Sequence, residues 1–258
     1  MIALWNTLLF QPLVNILIFF YQVGFHNLGL AIISLTVFIR LVLLPLTIPS
    51  LKAAAKMKEL APEIAKLKLR YKDDKQALSK AQLELYKKNG ANPAAGCLPQ
   101  IVQLIVLIAL YRAFLTVLTG DNLDQLNDIL YSFFKLNEGT TINTGFLYLD
   151  LSKPDVFNLP GLPIPLPGFL LIGAIVTQFL SSKISLPAAK KEEKQAKKTA
   201  EKSDDFAAAM QTQMLYLFPL MTLIIGFSFP SGLVLYWFIF SLTMLAQQYF
   251  FSGNITKK

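Results

Sequence analysis

The sequence predicts an all-α polytopic membrane protein with five transmembrane helices, an N-terminal interfacial amphipathic helix and a cytoplasmic helical hairpin. Of the 258 residues, 54% are hydrophobic and only 16% are charged, whereas a soluble domain carries about 25% charged residues. The apolar residues lie in long blocks separated by polar segments, which is typical of chains that cross a membrane several times. The single cysteine excludes an internal disulfide within this sequence.

The alternation of apolar and polar blocks divides the chain into ten segments. In chain order they are an extracytoplasmic interfacial helix (1–23), a first span (24–49), a cytoplasmic helical hairpin (50–92), a second span (97–118), an extracytoplasmic loop (119–164), a third span (166–182), a cytoplasmic loop (183–209), a fourth span (212–228), a fifth span (232–251) and a cytoplasmic tail (252–258).

The N-terminal segment is apolar and aromatic, but polar residues and a proline interrupt it. The interruptions are Asn6, Gln11, Pro12, Asn15 and Gln22. This pattern favours an amphipathic helix that lies in the membrane interface, with Trp5 and Tyr21 as anchors. A sixth span is the alternative. The first ten residues contain no lysine or arginine, so the segment lacks the basic start of a secretory signal peptide.

The first span is followed by a strongly charged segment. Pro45 and Pro49 are expected to kink or end the span. Residues 50–92 then hold 11 basic and 5 acidic residues, and their apolar residues recur every three or four positions. This spacing predicts two amphipathic helices that each bury one narrow seam. Pro62 is expected to bend the first of them.

The distribution of basic residues predicts the orientation in the membrane. Residues 50–92, 183–209 and 252–258 hold 20 of the 24 lysines and arginines, and the loop at 119–164 holds two. Because positively charged loops stay in the cytoplasm, the N-terminus is expected outside and the C-terminus inside. The last two spans are separated only by residues 229–231, so they form a tight hairpin.

Arg40 places a permanent charge in the middle of an apolar run. The next basic residue, Lys52, is roughly 18 Å farther along a helix, so Arg40 cannot easily reach the membrane surface. An arginine at this depth costs at least about 2.5 kcal/mol, and no predicted span contains a carboxylate to pair with it. Arg40 therefore indicates a wet cavity or a substrate path, which Thr36, one helical turn away, shares. A structural arginine that bonds helix carbonyls is the alternative.

The other ionisable residues indicate no catalytic centre. Arg112 lies close enough to the outer end of its span to extend to the interface, so a structural role is expected. His26, the single histidine, is expected at the outer edge of the first span. The sequence has no metal-ligand spacing and no nucleophile–base pair in its spans, so we expect no metal, no cofactor and no enzymatic activity. The basic segment 50–92 suits acidic or amphipathic polypeptide, anionic lipid or ribosomal RNA.

Ten stretches in a fixed order carry a resemblance to a known family. They are Gly29-Leu30-Ala31-Ile32-Ile33, Arg40-Leu41-Val42-Leu43-Leu44-Pro45-Leu46, Lys56-Met57, Tyr71-Lys72-Asp73-Asp74, Leu85-Tyr86-Lys87-Lys88-Asn89-Gly90-Ala91-Asn92-Pro93, Gly96-Cys97-Leu98-Pro99, Ala109-Leu110-Tyr111-Arg112, Phe146-Leu147-Tyr148-Leu149-Asp150-Leu151-Ser152-Lys153-Pro154-Asp155, Phe229-Pro230-Ser231-Gly232-Leu233-Val234-Leu235-Tyr236-Trp237 and Gln247-Gln248. On these residues the chain resembles the YidC/Oxa/Alb-type membrane protein insertases over nearly its whole length.

The resemblance implies a five-helix core in a bacterial plasma membrane, with a hydrophilic groove open to the cytoplasm and to lipid but closed to the outside. Carried over by residue, Arg40 is the groove arginine, Thr36 and Trp237 line the substrate contact path, and Gln178 is a further groove member. Nascent membrane proteins and membrane lipid are the implied partners, and no specific nucleic acid is expected. The Sec translocon and the ribosome are further candidate partners, through residues 50–92 or 183–209. A monomer is expected to suffice, because the groove lies within one chain.

The chain departs from some relatives of this family. It has no large extracytoplasmic domain, so it resembles a compact bacterial form, and its seven-residue tail is too short for tail-mediated docking on ribosomes. The implied mechanism is insertion without nucleotide hydrolysis, in which an acidic client flank enters the groove toward Arg40. A transporter or channel that uses Arg40 as an anion site is the alternative, although the halves of the chain show no internal repeat. A factor that only chaperones inserted subunits is a second alternative.

Overall fold

The computed structural model describes residues 2–71, 74–91, 98–118, 123–161, 163–185 and 205–255, and these residues are mostly helical. The helices are α1 (Ile2–Trp5), α2 (Gln11–Val23), α3 (Leu28–Val42), α4 (Leu44–Glu59), α5 (Ala61–Arg70), α6 (Lys75–Lys88), α7 (Leu98–Leu118), α8 (Leu123–Ile129), α9 (Phe169–Ser185), α10 (Asp205–Gly226) and α11 (Ser231–Ile255). A π-helical turn (Asn6–Phe10) joins α1 to α2, and a 3-10 turn (Ser132–Phe134) follows α8.

Two short antiparallel hairpins lie between α8 and α9. β1 (Gly145–Phe146) pairs with β2 (Leu149–Asp150), and β3 (Val156–Phe157) pairs with β4 (Leu166–Pro167). We call residues 143–168 the cap segment, because their backbone contacts the first turns of several helices.

The helices confirm a mostly helical protein with several candidate membrane spans. Within the described residues, three helical stretches are long and apolar enough to cross a membrane: Asn6–Val23, Ile101–Leu118 and Ser231–Phe250. Leu28–Val42 and Leu44–Met57 pass the same test only together, as a broken pair, which brings the number to four. Phe169–Ile184 and Tyr216–Gly226 are shorter apolar helices. The count of five, the segment boundaries and the orientation stay predictions, and most of the predicted cytoplasmic loop 183–209 lies outside the described residues.

The first span is interrupted earlier than its prolines suggest. α3 ends at Val42 and α4 begins at Leu44, with Pro45 in its first turn and Pro49 in its interior. A proline is tolerated in the first helical turn, where its missing N–H would have no helical partner. The amides of Leu46 and Thr47 accordingly donate to the Leu43 carbonyl as the new helix begins.

The chain folds as two units. The first comprises Met1–Val42, Val102–Gln178 and Leu220–Thr243, and the second comprises Leu43–Ile101, Phe179–Pro219 and Met244–Lys258. In the second unit, Asp74 caps α6 by accepting a hydrogen bond of 2.9 Å from the Ala77 amide. α5 contacts α6, and Ile64 and Leu78 are buried. The cytoplasmic placement of the predicted hairpin at 50–92 stays a prediction.

The core of the first unit is built from apolar helix faces. α2 packs on α3, and Leu17 and Ile18 of α2 are fully buried, as are Leu28, Ala31 and Ile32 of α3. A second cluster joins Leu171 and Ala174 of α9 to Val234 of α11. Burying each large aliphatic side chain contributes roughly 1.5–3 kcal/mol relative to water, although lipid-exposed faces of spans do not gain in this way.

The polar residues of α2 bind protein rather than water. Asn15, which is 1% exposed, accepts a hydrogen bond from the Tyr131 amide (2.6 Å) and donates to the Ile129 carbonyl (3.2 Å). Gln11 donates to the same carbonyl, and Gln22 donates to the Phe134 carbonyl. These interruptions, which favoured an interfacial helix in the sequence, therefore anchor the segment that follows α8. The assignment of α2 to the interface stays a prediction.

The cap segment satisfies the first amides of three helices. A helix leaves its first N–H groups without intrahelical partners. The Leu28 amide of α3 donates to the Asn143 carbonyl (3.4 Å), and the Ser231 amide of α11 donates to the Lys153 carbonyl (2.7 Å). In α9 the Leu171 amide donates to the Asp155 carboxylate (2.9 Å), where the helix dipole also favours a negative charge.

We expect Asn15→Ala to destabilise the protein by about 1–3 kcal/mol, because it removes the acceptor of the Tyr131 amide and one of the two donors to the Ile129 carbonyl. Thermal unfolding in detergent measures the loss. Gln22→Ala is the matched control, since Gln22 makes a single, longer bond of 3.3 Å. An equal loss in the two variants would contradict the anchoring role of Asn15.

Asp150 makes the stability of the cap segment depend on pH. The Ser152 hydroxyl and then the Lys153 ammonium, 2.9 Å away, hold the pKa of the Asp150 carboxyl well below its usual range. A depressed pKa stabilises the fold above the unfolded value of about 3.9 and loses this effect as the pH falls. We expect the native protein to unfold at a higher temperature than Asp150→Asn near neutral pH. The difference should shrink steadily below about pH 4, and a difference that is constant across this range would contradict the assignment.

Candidate functional site

Arg40 lies in the last turn of α3 and is buried. It is 7% exposed although its side chain is permanently charged. The apolar sequence around it forms an uninterrupted helix from Leu28, so the guanidinium is held at a fixed height on one face of α3. Its partners must therefore come from whichever element packs on that face.

The partners of Arg40 are neutral groups on α11. Arg40 Nε donates to Thr243 Oγ1 at 3.2 Å, and Thr243 Oγ1 in turn donates to the Phe240 carbonyl at 2.8 Å. The guanidinium carbon lies 4.1 Å from the centroid of the Phe240 ring. A cation over an aromatic face is attracted by the ring quadrupole, by up to about 2 kcal/mol where the pair is desolvated. Within the part of the chain that the structure describes, neutral groups thus stabilise Arg40.

One nitrogen of the guanidinium, Nη2, donates no hydrogen bond to the described residues. Among the described residues, Arg40 Nη2 is buried and has no hydrogen-bond partner, and no carboxylate there forms an ion pair with Arg40. A buried donor without an acceptor is rare and unfavourable. Nη2 therefore retains the capacity to donate a hydrogen bond to an anionic or carbonyl oxygen.

A second buried polar pair supports the same region of α11. Gln103 of α7 donates to the hydroxyl of Tyr236, a side chain that is 1% exposed. The hydrogen bond joins α7 to α11 and fixes the rotation of α11, which brings Phe240, one helical turn farther on, toward Arg40.

The other predicted site residues have different surroundings. Thr36 is buried, and its hydroxyl donates to the Ile32 carbonyl at 2.6 Å within α3. Trp237 lies on α11 and stacks with Phe229 at a centroid distance of 6.5 Å. Gln178 of α9 accepts a hydrogen bond of 2.7 Å from Thr222 of α10. Arg40 thus contacts α11, and Trp237 is part of α11. Thr36 and Gln178 form their hydrogen bonds with other groups, the Ile32 carbonyl and the Thr222 hydroxyl. The role of all four as substrate-contact residues stays a prediction.

Sequence reasoning missed Phe240 and Tyr236. Both are apolar or aromatic residues in a long apolar helix, and such residues look like ordinary lipid-facing or core positions. Thr243 and Gln103 were visible as polar residues within spans. Only the packing of α11 against α3 identifies Phe240 as the partner of a cation 200 residues away in the sequence.

The remaining ionisable candidates fit structural roles. Arg112 is exposed, and its guanidinium lies 5.1 Å from the Phe10 ring. The His26 ring packs edge-on against Tyr21 at 5.5 Å. Within the parts of the chain that the structure describes, no three histidine, cysteine, aspartate or glutamate side chains cluster as metal ligands would.

Comparison with known proteins identifies close relatives of the chain. A family model described as "60Kd inner membrane protein" matches residues 19–258. The membrane protein insertase YidC of Rickettsia massiliae is 33% identical over 256 residues, which cover 95% of this chain but 39% of that relative. The membrane protein insertase YidC 2 of Bacillus anthracis is 31% identical over 255 residues, covering 97% of this chain and 82% of the relative. The membrane protein insertase YidC of Fusobacterium nucleatum is 34% identical over 225 residues, covering 87% and 85%.

We expect a measurable coupling between Arg40 and Phe240. In a double-mutant cycle of Arg40→Ala and Phe240→Leu, the coupling free energy of unfolding should be about 0.5–2 kcal/mol, the range of a cation–π contact. Detergent-induced unfolding of the four proteins measures it. Phe238→Leu is the matched control, because Phe238 packs on the cluster around Val234 instead. A cycle with Phe240 no larger than the cycle with Phe238 would contradict the contact.

Proposed function

Because this chain belongs to the YidC/Oxa/Alb family, that of the 60Kd inner membrane protein, we propose that it inserts nascent proteins into the bacterial plasma membrane. The observation that carries the proposal furthest is the buried Arg40, which has neutral partners and a spare donor among the described residues. A buried charge that has no counter-ion among the described residues can pair with an acidic group on a client protein. The names of the relatives support the same function.

Arg40 is the attractive group of a hydrophilic groove in this proposal, and Thr36, Trp237 and Gln178 line the path of the client. Two unit charges 4 Å apart attract by about 4 kcal/mol at an effective dielectric constant of 20, but only by about 1 kcal/mol in water. A carboxylate in the flank of a client is therefore drawn to Arg40 only after it leaves bulk water. This attraction offsets part of the dehydration of the flank.

The proposed insertion proceeds without nucleotide hydrolysis. The basic segment 50–92 captures a hydrophobic segment as it emerges, and the short acidic flank enters the groove toward Arg40. The hydrophobic segment then moves into lipid, and its transfer out of water supplies the driving force. The flank is released on the outer side. Clients with strongly basic translocated flanks need a different machine, because Arg40 repels them, and so do clients with long flanks, whose dehydration costs more.

The proposed topology has five spans, the N-terminus outside and the C-terminus in the cytoplasm. It rests on the 20 of 24 basic residues in the segments 50–92, 183–209 and 252–258. This places the basic segment 50–92 where nascent chains appear. The Sec translocon and the ribosome are the partners that we propose for it, and the chain acts as a monomer. A transporter or channel that uses Arg40 as an anion site is not favoured, since the relatives are named as insertases.

We expect Arg40→Ala to reduce insertion of a single-span client with a short acidic flank by about tenfold, which corresponds to about 1.4 kcal/mol. Arg40→Lys should restore most of the insertion if charge is sufficient. Protease protection of the client flank in proteoliposomes measures insertion. Arg112→Ala is the matched control, because Arg112 is exposed and is expected to be structural. Undiminished insertion by Arg40→Ala would contradict the electrostatic step.

A resident counter-ion should inhibit the same step. Phe240→Glu places a carboxylate beside Arg40, so we expect insertion of the acidic-flank client to fall to the level of Arg40→Ala. Phe240→Gln is the matched control, because it has a similar shape without the charge. Thermal unfolding of both variants checks that they fold. Equal insertion by the Glu and Gln variants would show that Arg40 does not act through its charge.

A further inference from the structure

Large apolar side chains are exposed at the end of the first unit that carries the cap segment. Phe25, in the turn between α2 and α3, is 90% exposed, and Leu147, in the turn between β1 and β2, is 86% exposed. Phe169, the first residue of α9, is 72% exposed. Single exposed apolar residues are common, but Phe25 and Leu147 occupy turns, where polar residues usually lie.

Phe25 and Leu147 both have exposed side chains and an uncommon backbone conformation. Phe25 has φ 57°, and Leu147 has φ 53°. The left-handed region is disfavoured for residues with a Cβ, and glycine or asparagine usually occupies it. A bulky residue kept there is a sign that its side chain serves a purpose that glycine cannot serve. In both turns that side chain faces away from the protein.

The two turns are joined to each other. Asn27 Nδ2 donates to the Gly145 carbonyl at 3.3 Å, and the Leu28 amide donates to the Asn143 carbonyl at 3.4 Å. The Phe146 ring lies directly against Gly29, where a Cβ would overlap it. The turn that carries Phe25 and the hairpin that carries Leu147 therefore form one rigid edge.

An aromatic group extends this edge to α9. Tyr148 contacts both Phe157 and Phe169, at centroid distances of 6.4 Å and 6.0 Å, and the latter two rings lie 5.3 Å apart. The Tyr148 hydroxyl accepts a hydrogen bond from the Leu170 amide and donates to the Asp155 carboxylate. The Tyr148 hydroxyl is thus turned inward, while all three rings are exposed.

The edge is continuous with the exposed apolar surface of helices that are candidates to lie in the membrane. On α9, Phe169 begins a stripe of exposed apolar residues that continues with Ile172 and Val176, at the spacing of one helix face. On α2, Phe19 and Val23 are exposed one turn apart, immediately before Phe25. Whatever covers these helix faces therefore reaches the edge as well.

Two carboxylates of the cap segment, Asp150 and Asp155, are bound within the protein. Asp150 pairs with Lys153 at 2.9 Å, and Asp155 is 3% exposed and binds the first turn of α9. An edge that is rich in aromatic rings, with the Tyr148 hydroxyl turned inward, matches the chemistry of the boundary between lipid headgroups and acyl chains.

We propose that Phe25, Leu147, Tyr148, Phe157 and Phe169 form a lipid-binding edge that inserts into the headgroup–acyl boundary at this face of the membrane. The edge anchors the cap segment to lipid and thereby fixes the depth of the spans that begin beneath it. Its occupant is lipid rather than a protein, because the edge continues the exposed faces of α2 and α9. The proposal is independent of the insertase function.

The test is the depth of a fluorophore at position 147. Leu147→Cys, in full-length protein with its native cysteine replaced by alanine, carries an environment-sensitive nitrobenzoxadiazole label and is reconstituted into phosphatidylcholine vesicles. Doxyl lipids with the quencher near the headgroup should quench this label about twofold more than doxyl lipids with the quencher near the chain end, as expected for burial about 5–10 Å into the interface. Thermal unfolding confirms that the labelled protein folds.

Glu138→Cys is the matched control, because Glu138 is exposed in a polar turn outside the edge, and its label should have the emission of a water-exposed probe. The same emission at position 147 would overturn the proposal. A blue shift at position 147 that disappears when the protein is diluted in lipid would also overturn it, because the label would then contact a second copy of the protein. A blue shift that occurs only when a client protein is added would overturn it as well. None of these readings depends on insertion activity, so this proposal and the insertase function can fail separately.

Discussion

A buried guanidinium held by neutral groups is the constraint on which the rest of this structure depends. The full Born penalty of an ion in a low-dielectric medium is far larger than any single contact repays. Contacts of Arg40 with the Phe240 ring, 4.1 Å away, and with the Thr243 hydroxyl offset part of this penalty. Removing one partner of a buried ion pair costs about 3–5 kcal/mol, whereas a desolvated cation–π contact is worth about 2 kcal/mol. Neutral partners are therefore easier to exchange for a transient anion than a resident carboxylate would be.

The contact between Arg40 and Phe240 requires two helices to be in register, and the cap segment supplies that register. Its backbone accepts from the first amides of α3 and α11, at Leu28 and Ser231. Arg40 is twelve residues beyond Leu28 and Phe240 is nine beyond Ser231, which correspond to roughly 18 Å and 14 Å of helix. The two side chains thus lie at comparable distances from the same segment. A shift of one turn in either helix would separate them by about 5 Å.

The sequence predicted what local pattern and composition determine. The apolar blocks indicated a helical membrane protein, and the absence of acids from the spans singled out Arg40. The partner of Arg40 could not be predicted, because Phe240 resembles any aromatic residue of an apolar helix until α11 is packed on α3. The polar residues of α2 show the same limit. Asn15 looks water-facing along its own helix, but two of its partners are backbone groups more than 110 residues away.

The energetic scale of the proposed insertion is compatible with a single arginine that has neutral partners. A span needs about 20 apolar residues, and leucine, isoleucine, phenylalanine or valine contributes about 0.3–0.6 kcal/mol each at the helix centre, so the gain is roughly 6–12 kcal/mol. An aspartate opposes it by about 2.5–3.5 kcal/mol. One or two acids in a flank are therefore within reach of the hydrophobic gain alone, and Arg40 has only to lower the barrier. A flank with many charges exceeds that gain, and no arrangement of Arg40 and Phe240 could supply the difference.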